Sequence, residues 1–138
     1  DFMKPSTVRE GVKWLPEKNI DVFFVTLNKA DKDYSPTTMY NDYSINERLF
    51  HWQSQSTTAE NSPTGQRYIH HKERGGKVLL FVREFKSDRM TGGAEAYTYL
   101  GTASYVKHEG SRPMNITWRL DRPIPAKFLK KTNKLVVG

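Results

Sequence analysis

Five apolar residues run without interruption, Val78 to Val82, inside "KVLLFVREF", a stretch that directly follows Gly75-Gly76. The run is too short for an ordinary helix and rich in β-branched and aromatic residues. It therefore predicts a strand over 77–85, buried on both faces or curled into a small barrel. "IDVFFVTL", 20–27, has the same character. "YTYLGTASYVKH", 97–108, gives a further strand in which Tyr97, Tyr99 and Tyr105 share one parity, and Gly101 marks a bulge or a close approach. "MNITWRLD" places Ile116, Trp118 and Leu120 on one face of another strand. The aromatics of "ERLFHWQSQ" favour a strand there too.

Helices are few. "TGQRYIHHKERGG" predicts a short one stopped by Gly75-Gly76, and "PIPAKFLKKTNK" a second that follows its prolines. Residues 1–19, with Pro5, Gly11 and Pro16, read as an irregular lead-in, and the stretch around Ser35-Pro36 as a polar loop. The expected class is mainly β (α+β): a small curved barrel with short flanking helices, one domain over 138 residues. Because the first residue is Asp1, we expect a domain excised from a longer protein.

Several function classes drop out. With no cysteine there is no disulfide, thiolate zinc site or thiol nucleophile. His51, His70, His71 and His108 show no metal-ligand spacing, so neither metal nor cofactor is expected. No apolar run approaches the roughly 18 residues of a membrane span, and no signal peptide is visible. We expect a cytoplasmic protein without a membrane partner. Lys and Arg number 22 against 15 acidic residues, a net charge of +7. That balance points to a polyanion, and the cations are spread along the chain apart from Lys127, Lys130, Lys131 and Lys134.

From residue 77 onward, "KVLLFVREF", "YTYLGTASYV" and "ITWRLDRPIP" resemble the strand pattern of the PUA-like superfamily, which includes SRA, EVE and YTH domains. The resemblance implies a PUA/SRA-like barrel. Over nearly the whole chain, "DVFFVTLNK", "FHWQSQS", "SPTG", "LLFVREF", "YLG" and "FLKKTNKLVVG" resemble an uncharacterised domain near the C-terminus of bacterial DEAD/DEAH-box helicases that also carry a phospholipase-D-like nuclease domain. That resemblance implies a restriction or defence setting in which helicase and nuclease chemistry belongs to the rest of the parent protein, since no "GxxxxGK[ST]" occurs here and no "HxK" pair of the phospholipase-D type: His70-x-Lys72 is followed by Lys77 where that motif requires an aspartate.

The expected function is a DNA-binding reader, of modified or unmodified duplex, that flips a base into an aromatic pocket. "LFHWQSQSTT" carries the first candidates. On a strand, Phe50 and Trp52 face one side, and His51, Gln53 and Gln55 the other. Either Trp52 fills the core or its indole stacks on a base; the amides and His51 would read that base. Tyr34, Tyr40 and Tyr43 are expected as pocket walls. Ser54, Thr57, Arg67, Arg83, Lys107, His108, Ser111, Arg112, Lys130 and Lys131 are the expected contacts to the DNA backbone, with "HEGSRPM" as the principal loop. Two rivals stand beside this reading. One is a structural domain packing on the helicase. The other is a metal-dependent nuclease built on Glu84-x-Lys86, with Glu73 or Asp42 as the further carboxylate.

Overall fold

The computed structural model describes residues 11–27, 42–85, 93 and 95–129. The chain is mainly β. Among the described residues seven strands, β1 (Gly11–Leu15), β2 (Ile20–Thr26), β3 (Tyr43–Ser44), β4 (Leu49–Gln53), β5 (Lys77–Arg83), β6 (Thr98–Glu109) and β7 (Asn115–Leu120), form one sheet in the order β1-β2-β5-β6-β7-β4-β3. Among the described strands only β2 and β5 run parallel. The α-helix α1 (Pro63–His70) stands between β4 and β5, and a helical turn covers 126–129. Among the described residues no helix is long and apolar enough to cross a membrane.

Alternation along the strands decides the two faces. Phe23, Val25, Val78, Leu80, Val82, Ile116, Trp118, Leu120, Phe50 and Trp52 all enter one core. The sheet must curl strongly to join them. Phe23 on β2 stacks on Trp52 of β4 at 4.1 Å between ring centroids, although β5, β6 and β7 lie between those strands. In a flat sheet, four strand spacings would hold them about 19 Å apart. Tyr68 of α1 covers the concave side, its ring edge-on to Phe23 at 5.5 Å and to Trp52 at 5.4 Å. The sheet is nonetheless open: β1 and β3 lie at opposite ends of the strand order. This corrects the expected barrel, because the curvature brings distant side chains together while the hydrogen-bonded ladder does not close.

The irregular lead-in is corrected as well. Gly11–Leu15 is a strand, paired in register from Gly11 with Phe24 to Leu15 with Ile20. Pro16 sits in the following turn, where its carbonyl accepts from the Asn19 amide (3.2 Å). Gly101 has φ +107 at the point where the β5–β6 register shifts, so the expected bulge is present. The helix starts on Ser62, whose Oγ accepts from the Gly65 amide (3.0 Å), with Pro63 in its first turn. It ends at His70, sooner than Gly75-Gly76 implied, and the chain turns through 71–75 before β5.

Three buried polar groups are fully engaged. Arg67 clamps the Asp21 carboxylate with two hydrogen bonds (2.8 and 2.9 Å) and lies over the Trp14 ring at 4.1 Å. Burial pushes the Asp21 carboxyl up, and the guanidinium offsets part of that rise. His71 accepts the Tyr105 amide on Nε2 (3.3 Å) while Nδ1 faces the Gly76 carbonyl (3.4 Å). It thereby stands in for β5 beyond that strand's start, and burial holds its pKa below 6.5. The Tyr68 hydroxyl meets Gln55 Oε1 at 3.3 Å, and burial raises its pKa to about 12.

Candidate functional site

The same alternation that buries Ile116, Trp118 and Leu120 turns Asn115, Thr117 and Arg119 to the outer face of β7. Cross-strand register then builds three rows on that face. Glu109, Asn115 and Gln53 form the first; Lys107, Thr117, His51 and Tyr43 the second; Ser104, Arg119 and Leu49 the third. A register shift between Tyr105 and Lys107 makes the second row possible, because it returns Lys107 to the outer face.

A groove of about 270 Å³ opens on the first two rows, lined by Tyr43, Ile45, His51, Lys107, His108, Glu109, Asn115 and Thr117. Tyr43 and His51 stack at 4.7 Å with 14° between their planes and form an aromatic wall. His108 is also in the lining. Its Nδ1 lies 2.7 Å from the Tyr105 hydroxyl and its Nε2 3.3 Å from Glu60 Oε2. Gln53 Nε2 donates to Asn115 Oδ1 (3.2 Å), which fixes the Asn115 amide and turns its nitrogen away from Gln53. Among the described residues no group of three or more His, Cys, Asp or Glu side chains is placed to hold a metal ion.

Four sequence candidates thus meet in one place: Tyr43, His51, Lys107 and His108. Gln53 adjoins them through Asn115. Trp52 does not belong there. It is 5% exposed and packed on Phe23, so its indole cannot reach a base without unfolding the core. Gln55 is turned toward α1, where its Oε1 takes hydrogen bonds from Tyr68 and Thr58 (3.1 Å).

Several of the expected backbone contacts have partners within the fold. Ser54 is buried, with its Oγ accepting from the Met114 amide (2.8 Å). Arg67 is committed to Asp21. Arg83 is buried, donates to Thr26 Oγ1 (2.8 Å) and lies over the Tyr97 ring. Ser111 Oγ accepts from the Glu60 amide (2.8 Å), tying the β6–β7 turn to the segment before α1. Arg112 and Thr57 are exposed. Tyr34, Tyr40, Lys130 and Lys131 lie outside the described residues.

The nuclease residues are scattered in their engagements. Asp42 Oδ1 accepts from the Gln53 amide (2.8 Å), and Glu73 pairs with His70 (3.2 Å) after α1. The Glu84 amide donates to the Glu95 carboxylate (3.0 Å), while Lys86 is outside the described residues.

Asn115, Thr117 and Ile45 are groove residues that the sequence reading missed, and Glu109 entered that reading only as part of the "HEGSRPM" loop. The signal for two of them was present, since Asn115 and Thr117 alternate with the residues assigned to the core.

These features define a small domain whose curved, open, mixed sheet carries a polar groove on its outer face. The chain belongs to the family described as a domain of unknown function, DUF3427, which matches residues 3–131. No curated protein matches it.

Proposed function

We propose that this domain binds DNA and that its outer groove seats a base drawn out of the duplex. The observation that carries the reading is the convergence of Tyr43, His51, Lys107 and His108 on one groove from three separate stretches of chain. The groove's volume lies near the lower end of small-molecule sites, which begin at about 300 Å³. Stacking on an aromatic wall is worth about 1–3 kcal/mol per base, enough to offset much of the unstacking a flipped base requires. Exposed Arg119 and Lys107 on the same face, with Arg112 in the adjoining turn, provide cations for the phosphates. The net charge of +7 and the sequence likeness to PUA-like readers favour the same function.

In this reading the domain delivers a helicase and nuclease of the same parent protein to DNA in the cytoplasm, and itself performs no chemistry. The modification state of the target DNA is open to the same assay. Binding of the isolated domain to fully paired duplexes and to duplexes with one unpaired base tests the proposal. Tyr43→Ala is expected to weaken the unpaired-base duplex selectively. Equal weakening of both duplexes would remove the groove as a base seat.

The rival reading, a protein-interaction domain, rests on a different feature. Phe24, Phe81 and Tyr99 form an aromatic ladder across β2, β5 and β6, with ring centroids 5.3 and 5.0 Å apart and Tyr99 40% exposed. Loss of helicase contact without loss of DNA affinity on Tyr99→Ala would favour it for that part of the surface.

A further inference from the structure

Glu109 puts a carboxylate into a groove on a face proposed to bind DNA. It lines the cavity beside Asn115, in a protein whose overall charge is strongly positive. A carboxylate repels a phosphate and accepts hydrogen bonds but donates none when ionised. Whatever fills this groove should therefore present donors to Glu109.

The neighbours of Glu109 supply the opposite function. Asn115 gives its Oδ1 to Gln53 Nε2 at 3.2 Å. Its Nδ2 is thereby left at the end nearest the β6–β7 turn, within 3.7 Å of where a Cβ on Gly110 would sit. That places an amide donor next to the carboxylate, because Glu109 and Asn115 are direct cross-strand partners. Lys107, one row further, adds a second donor to the same groove. The site thus offers an acceptor pair flanked by donors.

Resting on the base-seating reading above, we infer that the groove selects guanine. Guanine alone among the four bases carries two adjacent donors, N1–H and the N2 amino group, beside an acceptor, O6. Its two donors match the two oxygens of Glu109, and O6 matches Asn115 Nδ2 or Lys107 Nζ. Thymine has one donor between two acceptors. Adenine and cytosine each pair an amino donor with a ring-nitrogen acceptor, whose lone pair would face the carboxylate. The Tyr43–His51 wall is indifferent to base identity, so discrimination falls to Glu109 and Asn115.

The test uses hairpin duplexes with a single unpaired guanine, hypoxanthine, adenine, cytosine or thymine in the stem. Affinity for the guanine hairpin should exceed that for each of the others by about tenfold or more. Hypoxanthine lacks only the N2 amino group, so it isolates the contact to Glu109. Glu109→Gln should erase the preference for guanine over hypoxanthine. The side chain is exposed, so the fold is expected to survive, and a thermal melt checks this. Equal affinity for all five hairpins would overturn the assignment of guanine while leaving DNA binding intact. A guanine preference that persists in Glu109→Gln would overturn the role of Glu109. Failure to bind any hairpin would overturn both this inference and the reading on which it rests.

Discussion

Phe23 and Trp52 stack face to face at 4.1 Å across the inside of a sheet in which three strands separate them. This contact joins the two halves of the sheet. Trp118 lies edge-on to Phe23 at 5.4 Å and Tyr68 closes the cluster. Trp52→Ala is expected to cost about 3–5 kcal/mol, a large part of a small domain's stability. Gln53→Ala, on the opposite face, should change stability by less than about 1 kcal/mol. Urea denaturation of both variants checks this, and similar losses would mean that the two faces are not separated as described.

Gly65 is required by packing. A Cβ there would collide with the Ala59 carbonyl oxygen and lie 2.9 Å from that of Glu60. Both obstacles are backbone, so α1 must move. Gly65→Ala is expected to destabilise by about 1–3 kcal/mol despite the better helix propensity of alanine. A raised melting temperature would show that the loop before α1 yields easily.

The Asp21–Arg67 pair should behave as a coupled unit. Arg67→Ala leaves a carboxylate that is 1% exposed without its partner, at a cost of about 3–5 kcal/mol. Asp21→Ala combined with Arg67→Ala should cost clearly less than the sum of the two single changes. A double-mutant cycle with no coupling would contradict the geometry.

His71 predicts a pH dependence of known sign. Its pKa in the fold lies below 6.5, so the unfolded chain binds more protons in the window beneath that value. Stability is therefore full above this window and falls as pH drops through it, with a slope of at most about 1.4 kcal/mol per pH unit. Asp21, raised above 3.8 by burial, acts with the opposite sign. The informative quantity is the difference between wild type and His71→Gln, in unfolding free energy from pH 7.5 to 5. The wild type should lose more stability on acidification; a zero difference would contradict a buried neutral imidazole.

Strand positions were legible wherever burial leaves a periodic mark. The apolar run in β5, the parity of Ile116, Trp118 and Leu120, and the bulge at Gly101 all follow from such marks. β1 was missed because Gly11 and Pro16 read as breakers, yet Gly11 opens the strand and Pro16 follows its last residue, so neither interrupts it. Curvature was harder to gauge: sequence shows which residues are buried but not whether the ladder that buries them closes. The candidate site was half legible. Alternation in "LFHWQ" separates His51 from Trp52, but it does not say that Arg67 and Arg83 are held by Asp21 and Thr26. A cation's partner depends on contacts across 46 and 57 residues, which no local pattern encodes.

The measurement that tests the account most directly is duplex DNA affinity against salt for the wild type and for Lys107→Ala combined with Arg119→Ala. Both residues are exposed on the groove face, so the double variant should keep its fold. Wild-type affinity should fall linearly on a log–log plot, and the slope should become shallower by about 0.9 for each phosphate contact removed. A wild-type affinity that does not change with salt, or a double variant with the same affinity and slope, would contradict the claim that this face of the sheet binds DNA.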